Sequence, residues 1–286
     1  MSRPAIDFTV VGSGGRPLRA TLHPARKESA SGIDRVILLA HGWKGFRAWG
    51  FWPFICDALA EAGLHAIRFD FSHNGVEQRD FDRLDLFAID TPSRHQEDLG
   101  ALLDFVSSKA RTAEQVAGGD APWPIVGGHC RMGLLGHSRG GADALLRAAG
   151  DSRVAAVVAL AGVADFVRGL EDEATLREFG YVPIRNARTG QVMPVTRLWY
   201  DDAQHHDILA AAAALSPRPL LVIHAEGDLA VPVEEAERLA SAHGAATVLR
   251  LPESGHTFGI THPWARTTPE LSTAVEAAAA FFQRHL

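Results

Sequence analysis

The chain has 286 residues, with 28 Lys and Arg against 34 Asp and Glu, a formal net charge of −6. A hydrophobic fraction of 47% beside 22% charged residues excludes a generally disordered chain. The mild acidity excludes the basic footprint of a nucleic-acid or anionic-membrane binder. At this length a chain buries most of its apolar surface without covalent staples. Its two cysteines, Cys56 and Cys130, supply neither a disulfide framework nor a four-thiolate zinc site, and both are expected to remain thiols. Residues 1–7 lack the apolar core of a signal peptide. No apolar run reaches the roughly 18 residues of a membrane span, so the expectation is a soluble, cytoplasmic protein.

Taken in chain order, strands alternate with helices. Residues 6–11 and 18–22 read as antiparallel strands around the Gly-rich turn 12–15, a hairpin turn rather than a phosphate loop. Residues 36–40 form a continuous apolar run, as in a strand covered on both faces. A loop at 41–50, a helix at 52–62 and a strand at 64–70 follow. In the helix expected over 93–110, Leu99, Leu102, Leu103 and Val106 recur at helical spacing. Residues 111–130 read as a polar connector. Strands are then expected at 132–136, 154–160, 220–225 and 247–251, with helices at 142–149, 233–243 and 270–285. Such alternation predicts an α/β fold with a mostly parallel central sheet and helices on both faces. Residues 165–216 break the rhythm with mixed charge, aromatics and no clean strand, and are too long for a loop. They read as a cap inserted over the carboxyl ends of the strands, leaving 1–164 and 217–286 as the core.

The central chemical signal is Gly136-His137-Ser138-Arg139-Gly140, a G-x-S-x-G pattern between an apolar strand and an Ala/Leu-rich helix. A serine hydroxyl needs an adjacent base, and that base needs an orienting carboxylate. Of 14 histidines, His256 follows the strand at 247–251 and reaches the same sheet end as Ser138; His262 is its rival, and His243 falls at a helix end. Asp228 follows the strand at 220–225, with Glu226 and Asp165 as rival carboxylates. An oxyanion needs two preorganised N–H donors. The backbone amides of Arg139 and Trp43 are the candidates, the latter in the loop after the strand at 36–40. The ring of His41 is expected to order that loop. His41, Phe46, Tyr181 and Trp199 are candidate substrate contacts, with internal packing as the competing role for the aromatics. His205-His206-Asp207 lacks a third ligand at useful spacing, so no metal is expected.

Together, His41-Gly42-Trp43, Asp70 to Gly75, Gly136 to Gly141, Gly227 to Pro232 and Gly255-His256 resemble the α/β-hydrolase superfamily, in order, over nearly the whole chain. Within it the chain looks most like bacterial serine esterases of the dienelactone-hydrolase-like and feruloyl-esterase-like groups. The resemblance implies Ser138, Asp228 and His256 as triad, with the Trp43 and Arg139 amides as oxyanion hole. The segment Asp70-Phe71-Ser72-His73-Asn74-Gly75 departs from the common Arg-Gly-His-Gly version of its loop. The expected activity is cofactor-free hydrolysis of a small carboxylic ester, by a monomer or homodimer. A peptidase, amidase or acyltransferase using the same triad is the alternative, and a silent ligand-binding hydrolase fold a further one.

Overall fold

The computed structural model describes residues 4–27, 32–110, 123–125, 130–168, 172–252 and 254–286. The chain opens with an antiparallel pair, β1 (Ile6–Val11) and β2 (Pro17–His23), followed by β3 (Asp34–Ala40). Helix α1 (Trp52–Glu61) begins with a proline in its first turn, where the missing N–H costs nothing, and leads to β4 (His65–Phe69). The short α2 (Leu84–Phe87) and long α3 (Pro92–Ala110) precede β5 (Cys130–His137), α4 (Arg139–Gly150) and β6 (Val154–Leu160). Next come α5 (Glu173–Phe179), β7 (Tyr181–Arg185), β8 (Val192–Thr196), α6 (Arg197–Ala203) and α7 (Ile208–Leu215). The chain closes with β9 (Leu220–Ala225), α8 (Glu234–His243), β10 (Thr247–Leu251) and α9 (Pro269–His285). The connector expected over 111–130 falls largely outside the described residues.

Eight strands form one sheet in the order β1-β2-β4-β3-β5-β6-β9-β10. Strand β2 runs antiparallel to β1 and β4, and the rest of the sheet is parallel. Side-chain alternation splits the core into two layers. Val36, Leu38 and Ala40 of β3 face one cluster with Leu99, Leu102 and Leu145 of α3 and α4. Ile37 and Leu39 face the other, with Trp52, Ile55 and Leu59 of α1 and residues of α9. Each buried Val, Leu or Ile side chain here contributes about 1.5–3 kcal/mol, and a one-residue slip of β3 would invert both layers.

The sequence expectation of no strand in 165–216 is corrected: β7 and β8 form a separate antiparallel pair, Tyr181 opposite Thr196 and Arg185 opposite Val192. Their alternation is hard to read because Pro183 and Pro194 stand directly opposite each other in the ladder. The excursion from α5 to α6 is anchored on the loop before α3. Thr196 Oγ1 donates to the Ala88 carbonyl at 2.7 Å, Gln191 Nε2 to the Phe81 carbonyl at 3.1 Å, and Met193 packs with Phe46, Phe81 and Phe87. Helix α7 instead packs against α4 and α8, burying Ile208, Ala212 and Leu215 in the first core layer.

Strand order reverses at β3 and β5: the chain leaves β3 toward β4 on one side and later returns through β5 to the other. In open α/β sheets ligands bind at the carboxyl ends of such a pair. Here those ends carry His41-Gly42-Trp43 and Ser138.

Candidate active site

Ser138 sits between the end of β5 and the start of α4, with φ 57° and ψ −123°, a conformation a non-glycine residue adopts only under constraint. The constraint is visible: its N–H donates to the Leu160 carbonyl at 2.9 Å, and its carbonyl accepts the Gly141 N–H at 3.0 Å. The turn requires glycine at 136, where an added Cβ would lie 2.0 Å from the Gly140 carbonyl oxygen. Gly42 is held as closely, since a Cβ there would stand 2.9 Å from Ser138 Cβ. The loop after β3 is thereby pressed against the serine, with the Trp43 amide one residue on. No hydrogen-bond acceptor is found for the Trp43 or Arg139 amide among the described residues.

Asp228 follows β9 and is buried, 5% exposed. Its Oδ1 accepts the Ala230 and Val231 N–H groups at 2.9 and 2.8 Å, which fixes the carboxylate plane. Its Oδ2 lies 2.8 Å from His256 Nδ1. Burial opposes the carboxylate charge, but hydrogen bonds from His224 and His256 outweigh it and hold the acid well below the usual carboxylate range. The rivals stand elsewhere: Glu226 is exposed, and Asp165 Oδ1 accepts the Val167 N–H at 2.9 Å. His262 accepts the Gly50 N–H at 3.0 Å, and His243 is buried at the end of α8 against the Arg218 carbonyl.

Two further histidines complete this end of the sheet, and sequence reading assigned neither a role. His137, the residue before Ser138, is buried, and its Nε2 lies 2.8 Å from the His256 carbonyl oxygen, to which it donates. Its ring centroid is 4.7 Å from that of His256. Burial, reinforced by the nearby His256, pushes its pKa down to about 3, so the ring is neutral. This bond ties the His256 loop to the serine turn. His224, fully buried on β9, donates from Nε2 to the Val231 carbonyl at 2.8 Å and stands 3.5 Å from Asp228 Oδ2. The signal for His137 was its place inside the pentapeptide, but the pattern itself leaves that position open.

A cleft of about 370 Å³, its open mouth included, adjoins the serine through Gly42 and Arg139. Trp43, Phe87, Phe166 and Trp199 give it aromatic walls. Of the four candidate substrate contacts, Trp199 and His41 line the cleft, while Phe46 and Tyr181 do not. The His41 ring is already engaged: Nδ1 lies 2.9 Å from the Gly42 carbonyl oxygen, and Nε2 accepts the Phe71 N–H at 3.3 Å. These bonds tie the ring to Gly42 of its own loop and to Phe71 after β4, and burial lowers its pKa. Phe46 packs inside with Phe81, Phe87 and Met193, and Tyr181 is 38% exposed on β7. His95 on α3 also reaches the cleft, with Nδ1 2.9 Å from Asp143 Oδ2 and Nε2 3.1 Å from both Asp90 oxygens. Burial disfavours its charge, yet the two carboxylates outweigh burial and raise its pKa well above the ordinary value. His206 of the His-His-Asp run donates to or accepts from Ser93 Oγ at 3.1 Å, and Asp207 caps α7.

A model of the prolyl oligopeptidase family matches residues 128–286. No curated protein sequence matches the chain. Among solved structures, the α/β hydrolase GrgF from Penicillium sp. is similar over 99% of both chains, with a TM-score of 0.72 and 18% identity. Est1E from Butyrivibrio proteoclasticus is similar over 98% of both chains, with a TM-score of 0.69 and 16% identity. A dienelactone hydrolase from Anabaena variabilis is similar over 100% of both, with a TM-score of 0.64 and 18% identity. These likenesses establish the α/β-hydrolase fold.

Proposed function

The chain belongs to the prolyl oligopeptidase family and is a hydrolase of the α/β-hydrolase fold; from that premise we propose that it cleaves carboxylic esters through an acyl-enzyme on Ser138. The observation that carries this reading is the 2.8 Å bond from His256 to an ionised, immobilised Asp228, in a loop tied through His137 to the strained turn of Ser138. Asp228 holds the proton on Nδ1, which leaves Nε2 as the base. His256 takes the Ser138 proton as the hydroxyl attacks the carbonyl. The Trp43 and Arg139 amides, both without acceptors among the described residues, stabilise the oxyanion. His256 then protonates the leaving alcohol, and activates the water that releases the acid. The excursion from α5 to α6 acts as the cap, placing Trp199 on the cleft wall.

Ester rather than peptide cleavage is supported by the modest cleft volume of about 370 Å³, which suits a compact acyl or alcohol group. It is supported too by full-length likeness to a dienelactone hydrolase. The family match favours a second reading, a small peptidase or amidase with the same triad. Matched p-nitrophenyl esters and p-nitroanilides of short acyl groups separate the two. Efficient turnover of the esters alone supports the proposal, and preferential turnover of the anilides overturns it.

A further inference from the structure

The side chain of Arg139 has no function in the mechanism above, which uses only its backbone amide. Its guanidinium carbon lies 4.3 Å from the ring centroid of Trp43 and 4.3 Å from that of Trp199. Two indoles, one from the oxyanion loop and one from α6, thus flank the guanidinium. The side chain lines the cleft, and its buried Nη1 has no hydrogen-bond partner among the described residues. A buried charged donor without an acceptor is costly to maintain, and a planar carboxylate is the acceptor that matches the fork.

The carboxylates already nearby do not fill this role. Asp90 and Asp143 favour the guanidinium's charge from a distance, against the burial that lowers its pKa, but neither forms an ion pair with it among the described residues. Both are bound to the His95 imidazolium, so the three groups together carry a single negative charge. Against it stand Arg139, Arg168, which is close enough to depress the Arg139 pKa, and Lys44, whose Nζ is 4.6 Å from the Trp43 ring centroid. No carboxylate is thus paired directly with Arg139 among the described residues.

We propose that Arg139 is a specificity-determining residue whose flanked guanidinium receives a carboxylate of the substrate, so that the preferred esters are those of compact molecules bearing a second, free acid group. The inference rests on the ester reading for its substrate class, but the anion site stands on the geometry alone. Because guanidinium and oxyanion-facing amide belong to one residue, the free acid and the scissile carbonyl must be separated by only a short chain. The acid can belong to the acyl half or the alcohol half of the ester.

Two arms distinguish these sources. In the first, monoethyl esters of succinic, glutaric and adipic acids are compared with the corresponding diethyl esters. In the second, the acetates of glycolic acid and 4-hydroxybenzoic acid are compared with their methyl esters. The acid is expected to raise kcat/KM by about 10- to 100-fold over the neutral partner in one arm, the increment of a charge-assisted pair. That ratio should collapse toward one in Arg139→Met and Arg139→Gln, whatever either variant does to absolute rates. Neutral esters preferred in both arms, or a preference for the acid that survives in both variants, overturns the proposal.

Calorimetric titration of Ser138→Ala with glutarate and 4-hydroxybenzoate, against glutaramide and 4-hydroxybenzamide, tests the site without turnover. Tighter binding of the acids, lost on adding Arg139→Met, sustains the anion site even if no ester is hydrolysed, in which case only the ester reading fails. Equal or no binding of acids and amides overturns the anion site even if neutral esters are good substrates.

Discussion

Two histidines at the carboxyl end of the sheet rest against buried aspartates, yet their chemistry is opposite. His256 commits one nitrogen, Nδ1, to Asp228. His95 commits both, to Asp143 and to Asp90. The first arrangement fixes a tautomer and leaves Nε2 unengaged among the described residues, as the proposed base requires. The second fixes a cation, because both nitrogens must donate, and a cation that cannot release its proton is no base. Distance to a carboxylate alone therefore does not identify a catalytic histidine; the number of its nitrogens already engaged does.

The comparison breaks first at His256. Replacing it with Ala should lower kcat for a short p-nitrophenyl ester by about 10⁴-fold or more, while urea unfolding changes little. Asp228→Asn should cost about 10³- to 10⁴-fold in kcat. Glu226→Gln and Asp165→Asn should each stay within a few-fold, so a large loss at either would reassign the acid. His95→Leu should act on stability instead, by about 3–5 kcal/mol, because it strands two buried carboxylates. Fluorophosphonate labelling of Ser138 below the unfolding transition should persist.

The same contrast has a pH signature. The folded pKa of His95 is raised above its unfolded value of about 6.5. Its contribution to stability is therefore fully present below pH of about 6.5 and is lost as pH rises through the folded pKa. The stability gap between wild type and His95→Leu should be widest in acid and narrow toward alkaline pH, as read from urea midpoints. Activity should run the other way on the acid side. Asp228 is depressed and stays ionised there, so the acid limb of turnover should carry no proton taken up by Asp228. A two-proton acid limb in the kcat/KM profile would show that Asp228 titrates as well.

His137→Phe is the smallest change. It removes the 2.8 Å bond to the His256 carbonyl but keeps an aromatic ring beside Phe51. A loss of about 10- to 100-fold in kcat with nearly constant KM is expected if this bond positions the base. A proportional change in KM instead would place the effect on substrate binding.

The serine-bearing end of the molecule was more legible from sequence than the excursion from α5 to α6. Strand runs such as 36–40 and 220–225 are apolar throughout because both faces are covered, so they stand out without alternation. Gly136 and Gly42 mark places where backbone must approach backbone, and such places have few sequence solutions. The β7–β8 pair escaped notice because its facing prolines hide a strand pattern and its partner is equally short. Phe46 and Trp199 are both aromatic residues near the cleft in sequence terms, yet one is packed inside and the other forms the wall. Which ring faces inward depends on Met193 and Phe81, brought in from distant segments, and composition carries no trace of that. The two-nitrogen engagement of His95 likewise depends on Asp143, distant in sequence on α4.

The account stands on a covalent intermediate at one oxygen. Acid quenching within the first turnover of a short-chain p-nitrophenyl ester, followed by digestion and mass spectrometry, tests it most directly. The account predicts an acyl adduct on the peptide containing Ser138, accumulating in wild type and missing in His256→Ala. Turnover without an adduct on that peptide, or an adduct on any other residue, would contradict it.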